Sequence, residues 1–302
     1  METFAAAQSA VLDRYDVDAD SHFVEIPAIG GRAHILTVGS GPSVVMVNGI
    51  GTPGAMWAPL MSQLDGFTLH AVDLPGYGLT DSTPRLADHY KATAISFLEQ
   101  VVIGLGLDSA MFMSNSLGSL WATWLAIDRP DRVTAITHVG CPALVLGTSA
   151  PAPMRLMSVR PLAELMMKIE PPSPKQIERL SKMVHEYPLA PEIAELLLET
   201  ERLPGFQPTF LSTLHTLVRL RGAHPDMAVA AEDLARVTQP VQLIWGRDDP
   251  FGSPSVGERV AGAIPDAELH VVDGGHTPWL TEASSIGSLA ESFLMSHSYR
   301  GS

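Results

Sequence analysis

Short apolar runs bounded by turn residues recur along the chain, at residues 43–47, 68–72, 110–113, 133–139, 241–245 and 268–272. Runs of this kind fill a parallel sheet that is covered on both faces. Helix-length segments lie between most of them, at 54–64, 90–105, 117–128 and 255–263, and a last helix over 282–294 closes the pattern. Ahead of them, two β-like runs at 22–27 and 32–38 flank Gly30-Gly31 and read as a hairpin. The alternation predicts an α/β fold: a doubly wound, mostly parallel eight-stranded sheet with an antiparallel start and helices on both faces.

One connection breaks the rhythm. Residues 142–240 hold no convincing strand but several helical stretches, at 160–169, 174–185, 191–202 and 209–221. That is far more chain than a crossover needs. It predicts a helical cap inserted over the C-terminal edge of the sheet, where open α/β folds bind ligands. The core domain then comprises 1–141 with 241–302, and the cap 142–240. Six methionines fall in the cap, Met154, Met157, Met166, Met167, Met183 and Met227. They either pack its helices together or form an adaptable apolar wall over a substrate.

Composition narrows the function classes. A chain of 302 residues, 46% hydrophobic, can bury a large core. Only 17% of residues are charged and the formal net charge is −14, which argues against nucleic acid or an anionic membrane surface as a partner. The lone Cys141 excludes an internal disulfide and any cysteine-based zinc site. His185, His215 and His224 show no metal-ligand spacing, so no metal is expected. Residues 1–20 lack the basic start and long apolar run of a secretion signal, and no apolar stretch is long enough to cross a bilayer, so a cytoplasmic location is expected.

The candidate chemistry centres on Ser116. It lies in Ser114-Asn115-Ser116-Leu117-Gly118, with an apolar strand running in and an amphipathic segment running out, the shape of a nucleophile elbow. A serine needs a base to take its proton, and the base needs a carboxylate to hold its tautomer. Strand 241–245 ends in Gly246-Arg247-Asp248-Asp249-Pro250, and strand 268–272 ends in Asp273-Gly274-Gly275-His276. The order Ser116, Asp249, His276 suits this architecture. Asp249 is preferred to Asp248, which is expected to be exposed or to bond backbone amides. The oxyanion needs two backbone donors. Leu117, at the helix start, and Ile50, in the loop Asn48-Gly49-Ile50-Gly51-Thr52-Pro53-Gly54, are the candidates. That loop lacks the ending of a P-loop and the spacing of a dinucleotide fingerprint. Asn48, Trp57 and Trp279 follow or border these loops and are candidates for substrate contact; Phe251 and Cys141 lie nearby.

On these motifs, together with Asp73-Leu74-Pro75-Gly76-Tyr77-Gly78 and Glu282, the chain resembles the α/β-hydrolase fold family, specifically its cap-bearing serine hydrolases. The resemblance implies a serine triad, acyl-enzyme chemistry, a small-molecule substrate and no cofactor. It departs from the family at Asn48, where a histidine is usual, and at Ser114, in place of the first elbow glycine; the second change is expected to matter little. A serine nucleophile separates it from the dehalogenase and epoxide hydrolase relatives, which use aspartate. Three readings are expected to compete: a hydrolase of a small or medium apolar ester or lactone, a C–C bond hydrolase of ring-cleavage vinylogous diketones, and a ligand receptor with little turnover. The second calls for a cationic residue from the cap, for which Arg219 and Arg221 are available.

Overall fold

The computed structural model describes residues 1–169 and 171–298; Glu170 of the expected cap and residues 299–302 of the expected core lie outside them. Eight strands form one sheet: β1 (Asp20–Ile26), β2 (Gly31–Gly39), β3 (Ser43–Val47), β4 (Thr68–Val72), β5 (Ala110–Ser114), β6 (Val133–Val139), β7 (Val241–Gly246) and β8 (Ala267–Val272). Their spatial order is β1-β2-β4-β3-β5-β6-β7-β8. The pairs β1–β2 and β2–β4 are antiparallel and the rest parallel. The chain direction across the sheet reverses between β3 and β5, so the loops after these two strands open onto a common crevice.

The central strands are uniformly apolar because both faces are covered. β5 and β7 are buried at every position. Helix α3 (Ser116–Asp128) packs on this centre and is buried from Ser116 through Ala126, which explains why its sequence is apolar nearly all round. The other long helices are α1 (Glu2–Arg14), α2 (Tyr90–Gly104), α4 (Ala152–Met157), α5 (Arg160–Ile169), α6 (Pro174–Met183), α7 (Pro191–Glu201), α8 (Phe206–Leu217), α9 (Pro254–Ala263) and α10 (Ala283–His297).

The segment joining β6 to β7 carries α4 to α8, but it is not strand-free. Helix α8 stops at Leu217, and Val218–Arg219 then pairs with Gly222–Ala223 in a small hairpin where a helix to residue 221 was expected. Gly222, at positive φ, makes this reversal possible. Likewise, 54–64 is a 3-10 turn (Gly54–Trp57) followed by one α-turn (Ala58–Met61), not a continuous helix. No expectation covered α1. It inserts Phe4 and Val11 into the core and lies against α7, with Arg14 paired to Glu192 at 3.0 Å. Among the described residues no helix is long and apolar enough to cross a membrane.

Candidate active site

The elbow is built by close backbone approach. Asn115 is extended and ends β5, then Ser116 turns to φ +51° and opens α3. A non-glycine residue rarely occupies that left-handed region, and such strain clusters at functional positions. Gly118 lies directly on the next strand, where a Cβ would collide with the carbonyl oxygens of Val47 and Asn48. Gly49 packs on the nucleophile from the other side, its hydrogen standing where a Cβ would be 3.1 Å from the Cβ of Ser116.

His276 and Asp249 meet at the ends of β8 and β7. The His276 Nδ1 lies 2.9 Å and 3.0 Å from the two carboxylate oxygens. A carboxylate there can only accept, so Nδ1 carries the proton and Nε2 is left as the acceptor. Asp249 is held by two amides, Cys141 N–H at 2.8 Å and Phe251 N–H at 2.9 Å. Asp248, its neighbour, is exposed; its carbonyl accepts from the His185 Nδ1. The His276 Nε2 is buried and has no hydrogen-bond partner among the described residues, Ser116 included. Asn115 links the two strand ends, donating to the carbonyls of Val139 at 2.7 Å and His276 at 2.9 Å.

Ser116, Leu117 and Ile50 open together onto one cavity. The rest of its wall is mainly apolar, drawn from residues 142–150 and from Met154, Leu214, Leu217 and Val218. Thr148 and Ser149 are further hydroxyls on it, and among the described residues no charged side chain lines it. Phe251 lines it too and stacks on the His276 ring, with centroids 3.9 Å apart.

The three residues expected to touch substrate are placed elsewhere. Trp57 and Trp279 are fully buried and stacked on each other at 4.2 Å, and the Trp279 indole donates to the Met56 carbonyl. Asn48 is buried and donates its amide to the Pro53 carbonyl at 2.8 Å, bracing the loop that presents Ile50. None of the three lines the cavity. Their motif positions point toward the site, but large aromatic side chains are drawn into the core by the area they bury. Arg219 and Arg221 are exposed and also absent from the lining; Arg219 contacts His224 at 2.8 Å.

Two motif positions, Ser114 and Asp73, carry more contacts than the motifs themselves convey. Ser114 is more than a small residue: its hydroxyl bonds His138 Nδ1 at 3.0 Å across the β5–β6 register, and burial pushes that histidine down to about 3. Asp73 gathers Gly54 N–H at 2.6 Å, Leu79 N–H at 2.8 Å and the His34 ring at 2.8 Å, tying the loop over residues 48–54 to the turn over residues 75–79. Burial also raises the Cys141 thiol well above its ordinary range, as expected of a small core residue rather than a nucleophile.

A family model described as the alpha/beta hydrolase fold matches residues 42–283. A 2-hydroxy-6-oxononadienedioate/2-hydroxy-6-oxononatrienedioate hydrolase from a Pseudomonas species is 27% identical over 285 residues, covering 91% of this chain and 96% of that protein. Among solved structures, a carboxylesterase from Bacillus subtilis is similar with a TM-score of 0.75 at 19% identity, covering 98% of this chain and 99% of that one. A meta-cleavage product hydrolase from Pseudomonas fluorescens is similar with a TM-score of 0.72 at 23% identity, covering 92% and 97%. At such identities these two structures speak to the fold.

Proposed function

The chain belongs to the α/β-hydrolase fold family, and from that premise we propose that it is a serine hydrolase of small or medium, uncharged apolar esters or lactones. The observation that carries this reading is the cavity shared by Ser116, Leu117 and Ile50, whose wall holds no charged side chain among the described residues. Ser116 Oγ attacks the carbonyl carbon while its proton passes to His276 Nε2, and Asp249 steadies the imidazolium that results. The amides of Leu117 and Ile50 take the oxyanion, aided at Leu117 by the N-terminus of α3. The alkoxide leaves with the proton from His276, and water, deprotonated by the same nitrogen, releases the acid. The segment 142–240 acts as a cap whose Met154, Leu214 and Leu217 meet the acyl group.

A second reading is C–C bond hydrolysis of a ring-cleavage dienoate, favoured by the activity for which the 27% identical Pseudomonas protein is named. A dienedioate carries two carboxylates, and burying them without a cation is costly. The neutral cavity wall, with Arg219 and Arg221 outside it, supports the ester reading instead. The test is steady-state kinetics on a chain-length series of aryl esters beside one ring-cleavage dienoate, each also with Ser116→Ala. The expected result is Ser116-dependent ester turnover with an optimum chain length and little dienoate turnover. A higher kcat/KM for the dienoate overturns the preference.

A further inference from the structure

The link between α6 and α7 grips the turn that carries His276. The Val184 carbonyl accepts the His276 N–H at 2.9 Å, and Glu186 Oε1 accepts the Gly275 N–H at 2.7 Å. His185 donates Nδ1–H to the Asp248 carbonyl at 2.7 Å, one residue from Asp249. The two backbones meet without a spacer: a Cβ on Gly275 would collide with the Val184 carbonyl and come within 2.8 Å of the His185 Cβ. Glu186 itself is 1% exposed. No lysine or arginine pairs with it among the described residues. Its carboxylate is satisfied instead by Gly275, by the Thr277 backbone, and by the Thr281 hydroxyl at 3.4 Å. Burial raises its pKa and these hydrogen bonds oppose the rise, with the His276 ring as the one titratable group acting on it. A carboxylate buried without a cation is expensive, so it is retained only where its hydrogen bonds are needed.

We infer that Glu186 is a positioning residue for His276: its carboxylate fixes the turn over residues 274–277, so that seating of the 142–240 segment and readiness of the base are one equilibrium. The inference rests on the reading of His276 as general base. It makes the segment a part of the catalytic machinery as well as a wall for substrate.

The test uses the full chain with Glu186→Ala, Glu186→Gln and Gly275→Ala, read by amide hydrogen exchange of residues 274–281, by thermal unfolding, and by kcat and KM on the best ester. In Glu186→Ala, exchange of the turn is expected to quicken about tenfold as a local opening. Its kcat should fall about ten- to a hundredfold, as a slightly misplaced base implies, with KM nearly unchanged. Glu186→Gln keeps an oxygen that accepts from Gly275 and is expected to recover most of the loss; Gly275→Ala attacks the same contact from the other side and should resemble Glu186→Ala. Wild-type exchange and kcat in Glu186→Ala overturn the inference. So does a loss explained by the unfolded fraction, a change in KM alone, or a glutamine variant no better than alanine. If the wild type shows no Ser116-dependent turnover, the functional reading fails, while the exchange data still judge the clamp.

Discussion

Two histidine–aspartate pairs are buried in this molecule, and only one of them goes on to bond a serine. In the first, Asp249 bonds His276, whose Nε2 is buried and unpartnered and whose ring stacks on Phe251 of the cavity wall. On the far side of the sheet start, Asp73 bonds His34 Nδ1 at 2.8 Å, and His34 Nε2 meets Ser21 Oγ at 2.9 Å. The second pair has the better hydrogen bonds. Yet Ser21 is an exposed residue of the extended strand β1, with no helix start behind it, and no residue of β1 or β2 lines the cavity that Ser116 shares. Asp73 also serves Gly54 and Leu79. The contrast teaches that hydrogen-bonded order does not by itself make a nucleophile. Ser116 differs from Ser21 in its positive φ, its place at the start of a long helix and its place on a cavity wall.

The sharpest way to break the comparison is covalent labelling. A fluorophosphonate probe is expected to modify the wild type once, at Ser116. Ser116→Ala should lose labelling and about four orders of magnitude or more in ester turnover, while Ser21→Ala leaves both unchanged. Mass-spectrometric detection of a label on Ser21 would erase the distinction. Next in size is the cost of emptying the structural array. Asp73→Ala leaves the buried Gly54 amide, the half-buried Leu79 amide and His34 without their acceptor, and urea unfolding should show a loss of about 3–5 kcal/mol, the cost of breaking a buried polar cluster. A loss below about 1 kcal/mol would mean that Asp73 is not the hub its contacts describe.

A third histidine, bonded to a serine but to no carboxylate, sharpens the comparison further. Burial lowers His138 from its ordinary 6.5 to about 3, so the unfolded chain takes up this proton first. The stability it permits is intact above pH 6.5 and is lost as the pH falls toward 3. At pH 5 the loss amounts to about 2 kcal/mol. His70, lowered to about 4 mainly by burial, adds to the same fall. The measurement is therefore the difference between wild type and His138→Gln in urea unfolding at pH 7 and at pH 5. Equal pH sensitivity in both proteins would show that His138 is not held neutral.

The strand ends bearing Ser116, Asp249 and His276 were legible in the sequence because each is a short local pattern, an apolar run followed by small or acidic residues at a turn. The sheet was legible for the same reason. Contacts set by register or by distant segments were not. Ser114 acquires its role only when β5 pairs with β6 and brings His138 opposite. Glu186 lies 89 positions from Gly275, with nothing around it in the sequence to mark the contact. Trp57 and Trp279 stood next to the right motifs, yet each found the other instead of the cavity. Local chemistry was readable; the partners of buried groups were not.

Helix α1 changes how the protein is best divided for engineering. It precedes the stretch matched by the family model, yet it packs on α7 of the 142–240 segment and is joined to it through Arg14 and Glu192. Grafting a relative's 142–240 segment onto this core would leave α1 facing a surface it did not evolve with. A chimera intended to change substrate range should carry its donor's first fourteen residues along with the donor's helices.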